Sequence, residues 1–210
     1  MKRFADRAEA GRRLAERLGE YAGRDDVVVL GLPRGGVPVA AEVARALGVP
    51  LDVFLVRKLG VPGREELAFG AIALGGARVL NGDVLAALRI DDETIEDVAR
   101  REQAELERRA EAYRGSTEPP DVRGRTAILV DDGLATGASM RAAVEAVRGL
   151  GPDRVVVAVP AAARETCSRL GEHVDEIVCL LTPEPFFAVG MWYRDFSETS
   201  DDDVRAALAG

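Results

Sequence analysis

Apolar and polar positions along the chain follow two periods. Asp6–Tyr21 sets Leu14 and Leu18 at helical spacing among charged residues and predicts an amphipathic helix. Val27-Val28-Val29-Leu30 is instead a continuous apolar run ending in Gly31-Leu32-Pro33, the pattern of a strand buried on both faces. A helix is predicted over Val37–Leu47, stopped by Gly48. Strands follow over Leu51–Val56 and, after a turn at Pro62-Gly63, over Leu67–Leu74. Asp91–Arg114 carries the strongest helical pattern. Asp91 or Asp92 can cap it, Ile95, Val98, Leu106, Ala110 and Tyr113 form a broken apolar stripe, and Gly115 ends it. Beyond the linker Ser116–Pro120 the alternation resumes with strand Thr126–Val130, helix Thr136–Leu150, strand Arg154–Val159, helix Ala162–Leu170 and strand Glu176–Leu181. Apolar strands alternating with helices predict an α/β fold, a doubly wound and mostly parallel sheet covered on both faces. The chain reads as one α/β core over residues 1–181, with a helical insertion at 84–115 and a C-terminal segment, 182–210, packing on that core.

Composition narrows the function. The 210 residues, 47% hydrophobic and 30% charged, can bury a real core in one domain. The longest stretch free of Asp, Glu, Lys and Arg, Leu67–Ala77, is too short to cross a bilayer. The opening MKRFADRAEAGRRLAERL lacks the apolar core of a secretory signal. Cys167 and Cys179 have neither metal-site spacing nor the look of a disulfide framework, so a reducing cytoplasm is expected. The net charge of −8 is opposite to that of a duplex-DNA binder, and neither a nucleic-acid nor a membrane partner is expected. An acidic chain that binds a small polyanion must concentrate its cations locally. Lys2 and Lys58 are its only lysines.

The most informative segment is Ala127-Ile-Leu-Val-Asp131-Asp132-Gly-Leu-Ala135-Thr136-Gly137-Ala138-Ser139. A buried strand delivers two adjacent carboxylates to its carboxyl end, where α/β sheets place ligands. Small residues and two hydroxyls then open directly into a helix, so the N–H groups of Ala135–Ser139 converge at a positive helix end suited to a phosphate monoester. Carboxylates only accept hydrogen bonds, so the acid pair suits sugar hydroxyls beside that phosphate. The local chemistry reads as recognition of ribose 5-phosphate. A Walker A reading fails for want of the lysine and one residue of spacing.

Four apolar residues, two acids, three variable residues and Thr-Gly-small-Ser closely resemble the PRPP motif of type I phosphoribosyltransferases. The resemblance implies a Mg²⁺-dependent pentosyltransferase in which a nitrogenous acceptor, a nucleobase among the candidates, displaces pyrophosphate from PRPP. Asp131 and Asp132 would bind the ribose hydroxyls, and Ala135, Thr136, Gly137, Ala138 and Ser139 would cradle the 5′-phosphate. Arg34-Gly35-Gly36, following the first strand, resembles the family's pyrophosphate loop, with glycines that permit a positive φ or an unusual peptide. Arg57 and Lys58, at the predicted end of the next strand, supply adjacent cations for the diphosphate, with Lys58 in a catalytic role. Mg²⁺ binds largely through phosphates and water, so no direct protein metal site is assigned.

Residues 59–77 correspond to the family's mobile loop. Its Arg64 can reach the diphosphate or pair with Glu65 or Glu66. The Asp91–Arg114 helix reads as structural or as a homodimer element. Half of the aromatic residues fall within Phe186–Phe196, where the family carries a hood over the acceptor. Trp192 and Tyr193 are the stacking candidates. Ala135 occupies the position where oxopurine enzymes carry a third Asp, and His173, the only histidine, reads as structural. The competing reading is a non-catalytic PRPP-sensing regulator on the same fold.

Overall fold

The computed structural model describes residues 3–210, apart from the side chains of Glu65 and Glu66. Five strands form one parallel sheet: β1 (Val27–Gly31), β2 (Leu51–Val53), β6 (Thr126–Val130), β7 (Arg154–Ala161) and β8 (Glu176–Leu181), in the order β2-β1-β6-β7-β8. Every residue of β1 and β6 is buried, as their unbroken apolar runs require. Side chains alternate across the sheet. Val28, Leu30, Leu129 and Val157 meet α5 (Ala138–Arg148) and α6 (Arg164–Gly171), whereas Val27, Val29, Ile128 and Val156 meet α1 (Arg7–Arg17) and α2 (Gly36–Leu47). The sheet is therefore doubly wound. The chain leaves β1 toward β2 on one side and enters β6 on the other, so the crevice between the carboxyl ends of β1 and β6 is the topological switch point.

The segment 51–80 departs from the sequence expectation. Leu51–Val56 is not one strand: β2 ends at Val53, and Val56 begins β3 (Val56–Val61) of a separate antiparallel sheet. Phe54 is buried against the main sheet and its helices, whereas Val53 and Leu55 are buried against the second sheet, so the chain passes from one layer to the other here. An apolar run that serves two cores cannot be divided by periodicity alone. β3 pairs with β4 (Arg64–Ala73) across the Pro62-Gly63 turn, and β4 with β5 (Arg78–Leu80), so the expected mobile loop at 59–77 is a hairpin.

After the short α3 (Gly82–Leu88), α4 (Asp92–Arg114) is capped by the Asp91 carboxylate and ended by Gly115 at φ +63°. Its predicted stripe, Ile95, Val98, Leu106, Ala110 and Tyr113, packs on the hairpin and on α7 (Asp201–Leu208). The sequence reading had no element at 201–208. The signal was Ser200 with Asp203 three residues on, which here form a reciprocal capping box. Cys167 on α6 and Cys179 on β8 are joined by a disulfide. The two elements pack side by side, which the separation in sequence did not reveal. Among the described residues no helix is long and apolar enough to cross a membrane.

Leu106 is fully buried where α4 meets the hairpin. Leu106→Ala should cost about 2–5 kcal/mol of unfolding free energy in a denaturant titration.

Candidate functional site

Two loops meet at the switch point, and both open into helices with no capping side chain. Gly137 precedes α5, Gly35 precedes α2 and Ala163 precedes the likewise uncapped α6, whereas α1, α3, α4 and α7 are capped by Asp6, Asn81, Asp91 and Ser200. At the start of α5 the Ala138 N–H makes only a long bond, 3.4 Å, to the Thr136 hydroxyl and can turn to a ligand anion. By contrast, α2 offers no free donor there: the Gly36 and Val37 N–H groups donate to the Leu32 and Arg34 carbonyls, and Pro38 has none. Gly137 is left-handed at φ +72°, and a Cβ there would lie 2.6 Å from the Thr166 methyl. The loop's other side is tied down. The Thr166 hydroxyl donates to the Ala135 carbonyl at 2.7 Å, and the Leu134 N–H donates to the Ala161 carbonyl at 2.8 Å.

Gly35 and Gly36 are required by space, since neither has a positive φ. A Cβ on Gly35 would lie 2.0 Å from an Asp132 carboxylate oxygen, and one on Gly36 would lie 2.7 Å from the Val130 carbonyl. The glycines carry neither a positive φ nor a cis bond; a cis peptide lies just before them, between Pro33 and Arg34.

This close approach divides the acid pair. Asp131 faces a cavity of about 150 Å³ with Leu32, Pro33, Val56, Arg109 and Ser139. Burial, and then the charge of Asp132, push the Asp131 carboxyl well above the usual carboxylate range. Asp132 turns toward Gly35 and accepts from Arg7, whose Nε and Nη2 lie 3.0 and 2.9 Å from Oδ2. Burial also raises Asp132, and the Arg7 guanidinium opposes that rise. Arg7 itself donates to the Ser197 carbonyl at 2.7 Å and lies 4.1 Å over the Phe196 ring. No sequence pattern singled Arg7 out: it sits 125 residues from its partner in a chain that favours arginine throughout.

The expected diphosphate residues are brought to the same region, but not as a bare cluster. Arg57 and Lys58 lie inside β3 of the antiparallel sheet, not at the end of a core strand. They line a cavity of about 590 Å³ with Gly60, Arg101, Glu102, Arg109 and Ser139. Arg57 donates through Nε to the buried Glu102 at 2.6 Å, and Lys58 is exposed with no ion-pair partner among the described residues. Arg34 pairs with Glu198 and, at 4.0 Å, with Asp201. α4, read as structural, thus contributes Glu102, Arg101 and Arg109 to the site. Glu105-x-x-x-Arg109 looks in sequence like an ordinary surface pair on a helix. The pairing of Arg64 with Glu65 or Glu66 lies outside the described residues.

The remaining candidates separate. Thr136, Gly137 and Ala138 border a cavity of about 330 Å³ with Arg141, Arg169 and His173. Tyr193 is buried between Phe4 and Phe196, with ring centroids 5.5 and 5.0 Å away, and its hydroxyl donates to the Asp132 carbonyl at 2.6 Å. That packing leaves Tyr193 no face for an acceptor. Trp192 stacks on Phe186 at 6.4 Å, and its indole N–H is buried without a partner. Beside Asp132, a cavity of about 400 Å³ is lined by Arg7, Arg34, Phe196, Glu198 and Thr199. Among the described residues no group of three or more His, Cys, Asp or Glu side chains could hold a metal ion.

A family model for the phosphoribosyl transferase domain matches residues 2–194. The chain belongs to the phosphoribosyl transferase domain family. A Mycobacterium tuberculosis protein provisionally named a phosphoribosyl transferase is 53% identical over 208 residues, covering 99% of this chain and 47% of its own. The chain thus spans about half the length of that relative. The crystal structure of TT1426 from Thermus thermophilus shares 51% identity at a TM-score of 0.85, over 98% of this chain and 97% of that one. The bifunctional protein PyrR of Chloroflexus aurantiacus is 35% identical over 129 residues, 60% of this chain and 65% of its own. In this member of the family, the Asp131–Ser139 segment lies at the switch point of the sheet.

The Arg7–Asp132 pair gives a test with a definite sign. In Arg7→Gln, Asp132 keeps the burial that raises its pKa and loses the guanidinium that opposes it. The folded protein then retains a proton that the unfolded chain releases, so stability is greatest at low pH and falls as pH rises past the ordinary carboxylate range. Denaturant titrations should show a loss on the order of 3 kcal/mol at pH 8 and far less at pH 4. A loss independent of pH would contradict this account of the pair.

Proposed function

We propose that the protein transfers the ribose 5-phosphate group of PRPP to a nitrogenous acceptor and releases pyrophosphate. The observation that carries this reading is the arrangement around Asp131. Asp131 shares its cavity with Ser139 of the loop and with Arg109; Ser139 and Arg109 also line the cavity of Arg57 and Lys58, and Arg109 borders that of Arg34. A sugar phosphate with an anionic leaving group requires such donors, an acceptor and cations close together.

In this reading Ala135–Ser139 bind the 5′-phosphate through backbone N–H groups and the hydroxyls of Thr136 and Ser139. Asp131, facing the cavity, accepts from the ribose hydroxyls, whereas Asp132 is committed to Arg7 and holds the base of the loop. The side chains of Arg34 and Lys58 receive the diphosphate. The C1–O bond breaks with its electron pair leaving on pyrophosphate while the acceptor nitrogen bonds to C1. Positioning and charge neutralisation therefore carry most of the catalysis. The donor set does not form a protein cage for Mg²⁺, but one carboxylate, Asp131, beside a substrate rich in oxygen fits an ion that arrives on PRPP and keeps its waters. Such an ion would add positive charge at the diphosphate.

A second reading, a PRPP-sensing regulator without turnover, is favoured by Ala135, which puts no carboxylate or imidazole where a base for the acceptor would stand. The assay separates the two. Pyrophosphate release from PRPP and Mg²⁺ is followed across a panel of nucleobases and small amines. Release that depends on one acceptor, reduced about 10- to 100-fold in Asp131→Asn, is the expected result. PRPP binding without release for any acceptor would support the sensor, and no PRPP binding would overturn both readings.

A further inference from the structure

The inserted helix α4, packed on the antiparallel hairpin, brings an arginine to the point where the candidate diphosphate residues meet. Arg109 of α4 lines the Asp131 cavity with Pro33 and Ser139, and it lines the larger cavity with Arg57, Lys58 and Ser139. It also borders a third space, about 340 Å³, with Pro33, Arg34, Arg108, Tyr113 and Asp201. No other side chain is shared by these three spaces among the described residues. The partners of the neighbouring cations differ in how firmly they hold. Arg57 is fixed by Glu102, a carboxylate with only 10% of its side chain exposed, which also accepts from Arg101 at 3.2 Å. Freeing Arg57 would leave a buried charge short of a partner, an unfavourable exchange.

Arg109 is held more loosely. Its Nε donates to Glu105 Oε1 at 2.7 Å, one helical turn back, and the pair is partly exposed. Glu105 also receives two bonds from Arg108, at 2.8 and 2.9 Å, and those bonds keep its charge satisfied if Arg109 leaves. The two arginines hold the Glu105 carboxyl at about 2, so it remains an anion that a guanidinium can leave and rejoin at neutral pH. An exposed pair of this spacing is weak, and a diphosphate offers a guanidinium a stronger, two-pronged acceptor.

We infer that Arg109 is a diphosphate-binding residue, held on Glu105 in the empty site and exchanged onto the leaving group when PRPP enters. The inference rests on the proposed PRPP reading and extends it. The inserted helix supplies a cation of the leaving-group site, and Arg57 serves as the strut that anchors this helix to β3 through Glu102.

The test is a set of calorimetric titrations with PRPP and Mg²⁺, and separately with ribose 5-phosphate, on wild type, Arg109→Ala, Arg109→Lys and Glu105→Gln. Thermal melts check that each variant is folded. Arg109→Ala should weaken PRPP about 10- to 100-fold and leave ribose 5-phosphate unchanged, because only PRPP carries the diphosphate. Arg109→Lys should recover part of the loss. Glu105→Gln, which frees Arg109, should tighten PRPP about twofold, an effect that a merely structural role for Arg109 would not produce. If wild type binds PRPP and Arg109→Ala binds it equally well, or if both ligands weaken together, the role of Arg109 is wrong while the PRPP reading stands. If wild type binds no PRPP, the reading fails and takes the inference with it.

Discussion

Two adjacent carboxylates at the end of a fully buried strand are the constraint around which this molecule is arranged. Asp131 and Asp132 leave β6 at the crevice where the sheet changes direction, and the β1–α2 loop presses so close that Gly35 and Gly36 have no room for a Cβ. Like charges held there would repel each other in a poorly solvated space. The protein relieves that repulsion from the far end of its sequence. Arg7, in the first turn of α1, takes Asp132, and Tyr193 donates to the Asp132 carbonyl. The N-terminal and C-terminal segments are joined at the same point, since the Phe4 N–H donates to the Trp192 carbonyl and Phe4 packs on Tyr193. With Asp132 committed, Asp131 is left to face the cavity.

The same economy of charge runs through the cationic side of the site. Under the proposed function, a chain of net charge −8 has to present cations to a polyanion without leaving them to destabilise the empty fold. It does so by pairing: Arg34 with Glu198, Arg57 with Glu102, and Arg109 with Glu105. These pairs differ in burial. The buried one joins α4 to the hairpin, whereas the exposed ones can be exchanged for phosphate oxygens. A net negative charge and a site for an anion are therefore compatible, because Arg34, Arg57 and Arg109 each carry a local counter-charge, whereas Lys58 has none among the described residues.

Much of the fold was legible in the sequence. A strand covered on both faces reads as unbroken Val, Ile and Leu, so β6 falls at the predicted residues, and the half-buried edge strand β8 does as well. The left-handed glycines 48 and 115 mark the ends of α2 and α4. The strand, loop and helix around Asp131–Ser139 were legible too, because the pattern is local: strand, acids, hydroxyls and small residues within one short run. Long-range features were not. Val53–Val56 serves two cores, and a single apolar run cannot show where the chain changes layers. Arg7 and Arg109 have ordinary neighbours, and only the packing of α1 and α4 brings them to the site. Tyr193, aromatic in a region rich in aromatics, gave no sign that its ring would be enclosed.

The central claim is that Asp131 and the Ala135–Ser139 loop receive the sugar phosphate while Asp132 stays on Arg7. A crystal structure of the protein with PRPP and Mg²⁺ tests this most directly. The account predicts the 5′-phosphate on the backbone N–H groups of Ala135–Ser139, the ribose hydroxyls at Asp131, and the Arg7–Asp132 pair intact. A ligand that displaces Arg7 to reach Asp132, or that binds away from the β1–β6 crevice, would contradict it.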